Sequence, residues 1–336
     1  MKYRTLGKTN LIVSEVGFGG IPIQRVSQKE ANDLIVSLNK NGINFIDTAR
    51  GYTCSEEYIG KALKEANLRS EFYLATKSMA RTYEAMTNDI NASLKNLQTD
   101  VIDLYQIHNL SSKKDYETLM GNNGAYKALL EAKAAGKIKN IGLTSHSLDF
   151  VKTIIDNYPF DTLQFPYNII ERDIEEVFEK AKEKNIGVIV MKPLAGGAID
   201  NARVALKFIL NNPNVSVAIP GMAMIAEVEQ NASITAGEYN ETENEYIEKL
   251  LLELGNDFCR RCGYCLPCTQ GINIPSCFLF EGYYTRYNLK GWAALRYQTL
   301  EKTAKDCIEC GKCLERCPYH LDIISKLKKV KEVFGK

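Results

Sequence analysis

The fold of this chain is constrained most by a regular alternation of short apolar runs with amphipathic stretches, from about residue 44 to residue 235. The apolar runs occupy residues 44–47, 72–76, 101–107, 138–143, 162–165, 186–191 and 215–219. Between them apolar residues recur at helical spacing, and residues 16–19 and 28–40 add a first strand and helix. Apolar runs without polar alternation are typical of parallel strands buried on both faces. Eight such strand–helix pairs predict an α/β fold, a closed (β/α)8 or TIM barrel.

A doubly wound open sheet is the rival architecture for an alternating chain. That sheet normally carries Gly-x-Gly-x-x-Gly after its first strand, where the glycines approach a dinucleotide. The stretch Gly17-Phe18-Gly19-Gly20 lacks the third glycine, so the barrel is favoured.

The amino-acid composition limits the classes of molecule that the protein is expected to bind. The net charge is +1 with 25% of residues charged, so no strong field favours nucleic acid or a membrane surface. The N-terminus opens without an apolar signal region, and no uncharged apolar run approaches the roughly 18 residues of a membrane-spanning helix. We therefore expect a soluble, cytoplasmic protein.

Four polar side chains fall where the barrel strands end, which is where chemistry belongs in this fold. Asp47 and Tyr52 follow the second strand, Lys77 the third and His108 the fourth. The pKa of tyrosine is about 10, and a neighbouring lysine ammonium lowers it by favouring the phenolate. A buried aspartate would keep that lysine charged, and a histidine can donate a hydrogen bond to a substrate oxygen. One such residue is more often structural, but four at one rim indicate a site that protonates a carbonyl oxygen as hydride arrives at its carbon.

The segments around these residues resemble the aldo-keto reductase superfamily. The likeness lies in Asp47-Thr48-Ala49-Arg50-Gly51-Tyr52, Ala75-Thr76-Lys77 and Asp103-Leu104-Tyr105-Gln106-Ile107-His108, and it extends over about residues 3–231. The resemblance implies a barrel that binds an extended nicotinamide coenzyme, with Tyr52 as general acid/base. It also implies that Lys77 and Asp47 tune the tyrosine and that His108 orients the carbonyl.

The resemblance implies coenzyme contacts as well. Ser145, His146 and Gln164 would hold the nicotinamide amide, and Met191 would pack on the ring where many members have an aromatic residue. The remaining expected contacts are Pro193, Leu194, Pro220, Gly221, Glu227, Gln230 and Asn231. Gly221 and Glu227 stand where the family binds a 2′-phosphate with cationic side chains, so NADH is expected to be preferred over NADPH.

Cysteine usage is lopsided, with Cys54 alone in the first 258 residues and nine cysteines between Cys259 and Cys317. Without a signal peptide a disulfide framework is not expected, and clustered thiols in a reducing compartment serve metal or redox chemistry. Cys54 and Cys277 lie outside the two cysteine runs, and we expect both to be packed thiols.

The two runs have the spacing of iron–sulfur ligands. The second, with Cys307, Cys310, Cys313, Cys317 and Pro318, matches the bacterial ferredoxin pattern C-x₂-C-x₂-C-x₃-C-P. The first run, Cys259, Cys262, Cys265 and Cys268, differs in that its fourth cysteine comes one residue early and Thr269 replaces proline. Because the fourth cysteine ligates the other cluster in two-cluster ferredoxins, the pattern predicts two [4Fe–4S] clusters with exchanged fourth ligands. Zinc knuckles are the alternative, although they rarely need a third thiolate three residues on.

These patterns predict a barrel over residues 1–235, a linking helix over 236–254 and a small, mainly helical ferredoxin-like domain over 255–336. The combination indicates an NAD(P)H-linked oxidoreductase that reduces a carbonyl substrate and uses its clusters for electron transfer, with a redox protein as a further partner. The alternative is an iron–sulfur electron-transfer or scaffold protein whose barrel binds a ligand without nicotinamide turnover. A flavin usually connects nicotinamide to one-electron carriers, but no flavin-binding stretch is visible.

Overall fold

The computed structural model of the chain describes residues 1–255 and 257–335, which form two compact units. The first unit comprises Met1–Asn168, Arg172–Leu194 and Asn201–Glu238. The second comprises Ile169–Glu171, Ala195–Asp200 and Tyr239–Lys336. Two short segments within the predicted barrel region therefore belong to the second unit.

The first unit is built on a sheet of eight parallel strands within the described residues. These are β3 (Phe18–Gly19), β4 (Phe45–Asp47), β5 (Tyr73–Ser78), β6 (Ile102–Ile107), β7 (Ile138–Thr144), β8 (Thr162–Pro166), β9 (Gly187–Met191) and β10 (Val217–Ala218). Each strand pairs with its neighbour in sequence, and parallel bridges at the two ends of the strand order join Val16 to Ala218 and Gly19 to Gly221. The backbone N–H of Gly17 donates to Ala218 O at 2.8 Å, and that of Gly19 donates to Pro220 O at 2.9 Å. The sheet closes on itself, so the predicted (β/α)8 barrel is confirmed.

Helices surround the sheet because each presents an apolar stripe to it. Within the first unit they are α1 (Gln28–Lys40), α2 (Ser55–Glu65), α3 (Tyr83–Asn96), α4 (Lys113–Met120), α5 (Ala125–Ala134), α6 (Leu148–Ile154), α7 (Glu175–Glu183), α8 (Ala202–Leu210) and α9 (Ile225–Ala232). Helix α1 shows the logic: Ser27 and Glu30 form a capping box at its start, and Leu34, Ile35 and Leu38 are buried.

An antiparallel hairpin, absent from the sequence prediction, precedes the barrel. Its strands β1 (Tyr3–Thr5) and β2 (Ile12–Ser14) lead Leu6 into an apolar cluster with Phe45, Leu104 and Ile189, which line the barrel interior. Leu6 is fully buried there. The N-terminal end of the barrel is thus filled with side chains.

The second unit is helical. It contains α10 (Glu241–Leu254), α11 (Ile274–Thr285), α12 (Lys290–Gln298), α13 (Lys312–Glu315) and α14 (Ile323–Phe334). Helix α10, expected as a linker, belongs to this unit. The core of the second unit contains Leu327 and Val330 of α14, Tyr297 of α12 and Cys277 of α11. Cys277 is a packed thiol, as expected. The described helices include none with the length and apolar content to cross a membrane.

Candidate functional site

The structure brings Asp47, Tyr52, Lys77 and His108 together at the C-terminal end of β4 to β6. Lys77 Nζ donates to Asp47 Oδ2 and, at 2.8 Å, to the backbone oxygen of Thr48. Lys77 Nζ also lies 5.0 Å from the centre of the Tyr52 ring. The rings of Tyr52 and His108 meet edge to face, with their centroids 6.0 Å apart. The four side chains form one cluster, although their roles in catalysis stay a prediction.

Burial governs the electrostatics of the ion pair. Lys77 and Asp47 are 1% and 2% exposed. Burial lowers the pKa of Lys77, while the charge of Asp47 acts to raise it. Burial also raises the pKa of Asp47, against the charge and hydrogen bond of Lys77 and the side-chain amides of Gln106 and Gln164. Desolvation is the larger effect on both groups, so the pKa of Lys77 lies below its ordinary value and the pKa of Asp47 lies above its own.

A second buried carboxylate, to which the sequence prediction gave no role, holds the turn that carries Tyr52. Arg50 Nη1 donates to Glu56 Oε2 at 2.6 Å. Glu56 Oε1 accepts hydrogen bonds from Thr76 and Ser93, each at 2.7 Å. The 3.0 Å hydrogen bond from Arg50 N to Lys77 O ties the same turn to β5. A sequence signal existed, because Glu56 occupies the buried stripe of α2 with Ile59 and Leu63.

All eleven residues expected to contact a coenzyme lie in the first unit, at the ends of β7 to β10 and on α9. Ser145 follows β7 and donates its backbone N–H to Gln164 O at 3.1 Å. Met191 ends β9, followed by Pro193 and Leu194. Pro220 and Gly221 follow β10. Helix α9 carries Glu227, Gln230 and Asn231, and His146 lies next to Ser145.

Two of these residues have polar atoms suited to a ligand. Gln164 is 1% exposed and Asn231 is 4% exposed. Gln164 Oε1 and Asn231 Oδ1 are buried without a hydrogen-bond partner in the described part of the chain. Since buried polar atoms are almost always hydrogen-bonded, each oxygen fits a donor from a bound molecule. The amide of a nicotinamide and the amino group of an adenine are donors of this kind.

Glu227 lies in the first turn of α9, and its carboxylate is hydrogen-bonded within the protein. Its Oε2 accepts from the backbone N–H of Ala223 at 2.6 Å and of Met224 at 3.0 Å. These amides form the N-terminus of the helix, where anions bind most readily. The carboxylate therefore caps the start of the helix and keeps a negative charge there.

Cysteine thiols of the second unit border a small cavity of about 20 Å³. Cys268, Cys307, Cys310 and Cys313 line it, and Cys265 reaches it as well. The first four are the residues predicted to share one cluster. Cys268 of the first run therefore lines the same cavity as three cysteines of the second run, and the exchange of fourth ligands stays a prediction.

The cysteines predicted to hold the other cluster also lie close together. They are Cys259, Cys262, Cys265 and Cys317. Burial raises the pKa of Cys265 to about 12, and the thiols of Cys259 and Cys262 act in the same direction. Burial raises the pKa of Cys262, and the neighbouring Cys317 thiol raises it as well. Thiols of this kind ionise when a metal centre takes the place of the proton. No group of three or more Cys, His, Asp or Glu side chains in residues 1–255 and 257–335 gathers around a single metal-ion position. The soft-thiolate donor set fits iron–sulfur clusters.

Comparisons with known proteins find matches for both the barrel region and the cysteine-rich C-terminal region. The model of the aldo/keto reductase family matches residues 15–203, and the model of a 4Fe-4S dicluster domain matches residues 258–322. Aldo-keto reductase YhdN of Bacillus subtilis (strain 168) is 33% identical over 221 residues, covering 59% of this chain and 64% of YhdN, just under two thirds of its length. The NADH-specific methylglyoxal reductase of Escherichia coli (strain K12) is 29% identical, covering 59% of this chain and 69% of that protein. The holo structure of aldo-keto reductase AKR11C1 from Bacillus halodurans superposes with a TM-score of 0.62 at 27% identity, covering 74% of this chain and 96% of that one.

Proposed function

Because the chain belongs to the aldo/keto reductase family and carries a 4Fe-4S dicluster domain, we propose that it is an oxidoreductase that reduces a small carbonyl compound with a nicotinamide coenzyme. One observation carries the proposal: the buried Lys77–Asp47 pair lies beside the Tyr52 ring, with His108 on that ring's edge. A proton donor, a group that tunes it and a hydrogen-bond donor are therefore at one point of the barrel rim. The substrate class follows from this chemistry.

The residues act on the carbonyl oxygen. A bound nicotinamide coenzyme would supply hydride to the carbonyl carbon. Tyr52 gives its hydroxyl proton to the oxygen, and His108 holds that oxygen in place by a hydrogen bond. Lys77 stabilises the tyrosinate that results and supports its return to the phenol by a proton from water. The balance is one carbonyl, one NADH and one proton consumed, with one alcohol and one NAD⁺ formed.

We propose NADH as the preferred coenzyme, with three features in support. A Cβ at Gly221 would lie 2.7 Å from Pro22 Cγ, so a longer side chain does not fit there. Met222 is fully buried. The Glu227 carboxylate occupies the N–H groups at the start of α9, where it would repel a 2′-phosphate. The name of the Escherichia coli relative records the same preference for that protein.

We propose that the second unit holds two [4Fe–4S] clusters that transfer electrons, with a redox protein as partner. One cluster would be held by Cys259, Cys262, Cys265 and Cys317, the other by Cys268, Cys307, Cys310 and Cys313. The cavity lined by the second set and the closeness of the first support this division. A cytoplasmic location suits free thiols at this spacing.

The test is an assay of anaerobically purified protein with NADH and a panel of small aldehydes and ketones. We expect Tyr52→Phe to lower kcat by about 10²–10⁴-fold, the usual contribution of a general acid. Tyr58→Phe, which removes a hydroxyl from α2, is the control and should keep the activity. Iron and sulfide are counted in each preparation to confirm equal loading. Activity that is unchanged in Tyr52→Phe, or no NADH-dependent reduction at all, would contradict the proposal.

A further inference from the structure

Two hydrogen-bonding groups reach the sulfur atoms of one cysteine set. Thr269 Oγ1 lies 3.4 Å from Cys310 Sγ, which belongs to the other cysteine run, 41 residues away. The backbone N–H of Gln270 donates to Cys268 Sγ at 3.4 Å. Both sulfurs border the cavity that Cys307 and Cys313 also line. The contacts thus converge on the cluster proposed for that set.

In the ferredoxin pattern a proline follows the last cysteine of each run. Thr269 stands at that position in the first run. The second run ends with Cys317 and Pro318, and proline has neither a hydroxyl nor a backbone N–H. The first run ends with Cys268 and Thr269, which supplies a hydroxyl at the equivalent position. The departure therefore introduces a hydrogen-bonding group that Pro318 lacks.

The direction of this hydrogen bond follows from the state of the sulfur. A cysteine that ligates iron is a thiolate without a proton, so it can accept but not donate. The Thr269 hydroxyl must then be the donor. Hydrogen bonds to cluster sulfurs favour the reduced state, because reduction adds negative charge to the cluster, and the reduction potential rises.

We propose that Thr269 is a redox-tuning residue, whose hydroxyl donates to the Cys310 thiolate and raises the reduction potential of the cluster held by Cys268, Cys307, Cys310 and Cys313. This inference rests on the ligand sets proposed above. The Gln270 N–H acts in the same direction on the same cluster. Cys310 is solvent-exposed, while Cys265 and Cys317 of the other set are buried. The two clusters therefore have different surroundings and separate potentials.

The experiment is an anaerobic redox titration of the full-length protein, followed by electron paramagnetic resonance. Thr269→Val removes the hydroxyl at nearly constant volume and should shift one midpoint potential downward. Thr269→Ser keeps the hydroxyl and should restore the wild-type value. Thr269→Pro installs the residue of the ferredoxin pattern and should lower the same midpoint, which keeps the test open if the valine variant loads poorly. Thr285→Val, on the surface of α11, is the control and should change neither midpoint.

Two further measurements separate this inference from the ligand assignment. Cys310→Ser changes one ligand and identifies which midpoint belongs to the cluster beside Thr269. Iron and sulfide counts test the ligand sets alone, since fewer than two cluster equivalents in the wild type would contradict the assignment. In fully loaded protein, an unchanged midpoint in Thr269→Val and Thr269→Pro overturns the inference. The inference is also overturned if the Thr269 variants shift only the midpoint of the other cluster, which is the midpoint that Cys310→Ser leaves unchanged.

Discussion

At the scale of single residues, the Lys77–Asp47 pair links the stability of the barrel to its chemistry. Both groups are buried, and burial by itself favours the neutral form of each. The charge of each partner acts against the desolvation of the other, and Gln106 Nε2 adds a 3.0 Å hydrogen bond to Asp47 Oδ1. Breaking such a pair leaves one charge without a partner.

Asp47→Asn tests this coupling. Without the aspartate the pKa of Lys77 falls further, because the Asp47 charge is what raises it against burial. If charged Lys77 is required, the alkaline limb of the kcat–pH profile moves to lower pH and kcat falls. The free energy of unfolding should fall by ~3–5 kcal/mol, as for other broken buried pairs.

Asp103→Asn is the matched control for that variant. Asp103 is buried at the start of β6 and pairs with Arg69 at 2.9 Å and Lys139 at 2.8 Å. Asp103→Asn should lower the free energy of unfolding but leave the alkaline limb of the kcat–pH profile unchanged. An Asp47→Asn profile that superposes on the wild-type profile would show that Lys77 is not coupled to the reaction.

At the scale of elements, the proposed preference for NADH rests on the way helix α9 begins. Its first turn is closed by the Glu227 carboxylate on two backbone N–H groups. These contacts stabilise the start of the helix. Under the proposal, the negative charge that they hold there disfavours a 2′-phosphate.

Glu227→Arg should therefore shift the preference toward NADPH. The substitution removes the repelling carboxylate and offers a guanidinium to the phosphate, so we expect the ratio of NADPH to NADH dissociation constants to fall by about tenfold or more. Loss of the cap should lower stability by ~1 kcal/mol. The measurement is coenzyme titration of both proteins, with Glu229→Arg, an exposed position on the same helix, as control. An equal ratio in all three proteins would contradict this role for Glu227.

Elements with a long periodic pattern were predictable from the sequence, and elements specified by distant contacts were not. The buried face of α1, with Leu34, Ile35 and Leu38, follows from spacing alone. The β1–β2 hairpin has three-residue strands, too short to show a period. The site divides in the same way: Asp47, Tyr52, Lys77 and His108 lie at strand ends, whereas the Thr269–Cys310 contact joins residues that only the folded chain brings together.

At the scale of the whole molecule, the proposed function joins a two-electron site to one-electron carriers in one chain. Nicotinamide delivers hydride, and each cluster accepts a single electron. The first unit contains Asp47, Tyr52, Lys77 and His108, to which carbonyl reduction is assigned in the proposal, and the second contains both cysteine sets. Carbonyl reduction by direct hydride transfer and reduction by cluster electrons leave different marks on the product, because hydride carries its hydrogen with it.

Isotope transfer is the most direct measurement of the central claim. Fully loaded protein is incubated anaerobically with a carbonyl substrate and NADH that carries deuterium at both C4 positions. We expect the alcohol from the wild type to contain one deuterium on the former carbonyl carbon, detected by mass spectrometry, and Tyr52→Phe to form that product much more slowly. Alcohol formed without deuterium would contradict the account, since its electrons would then have reached the substrate by another route.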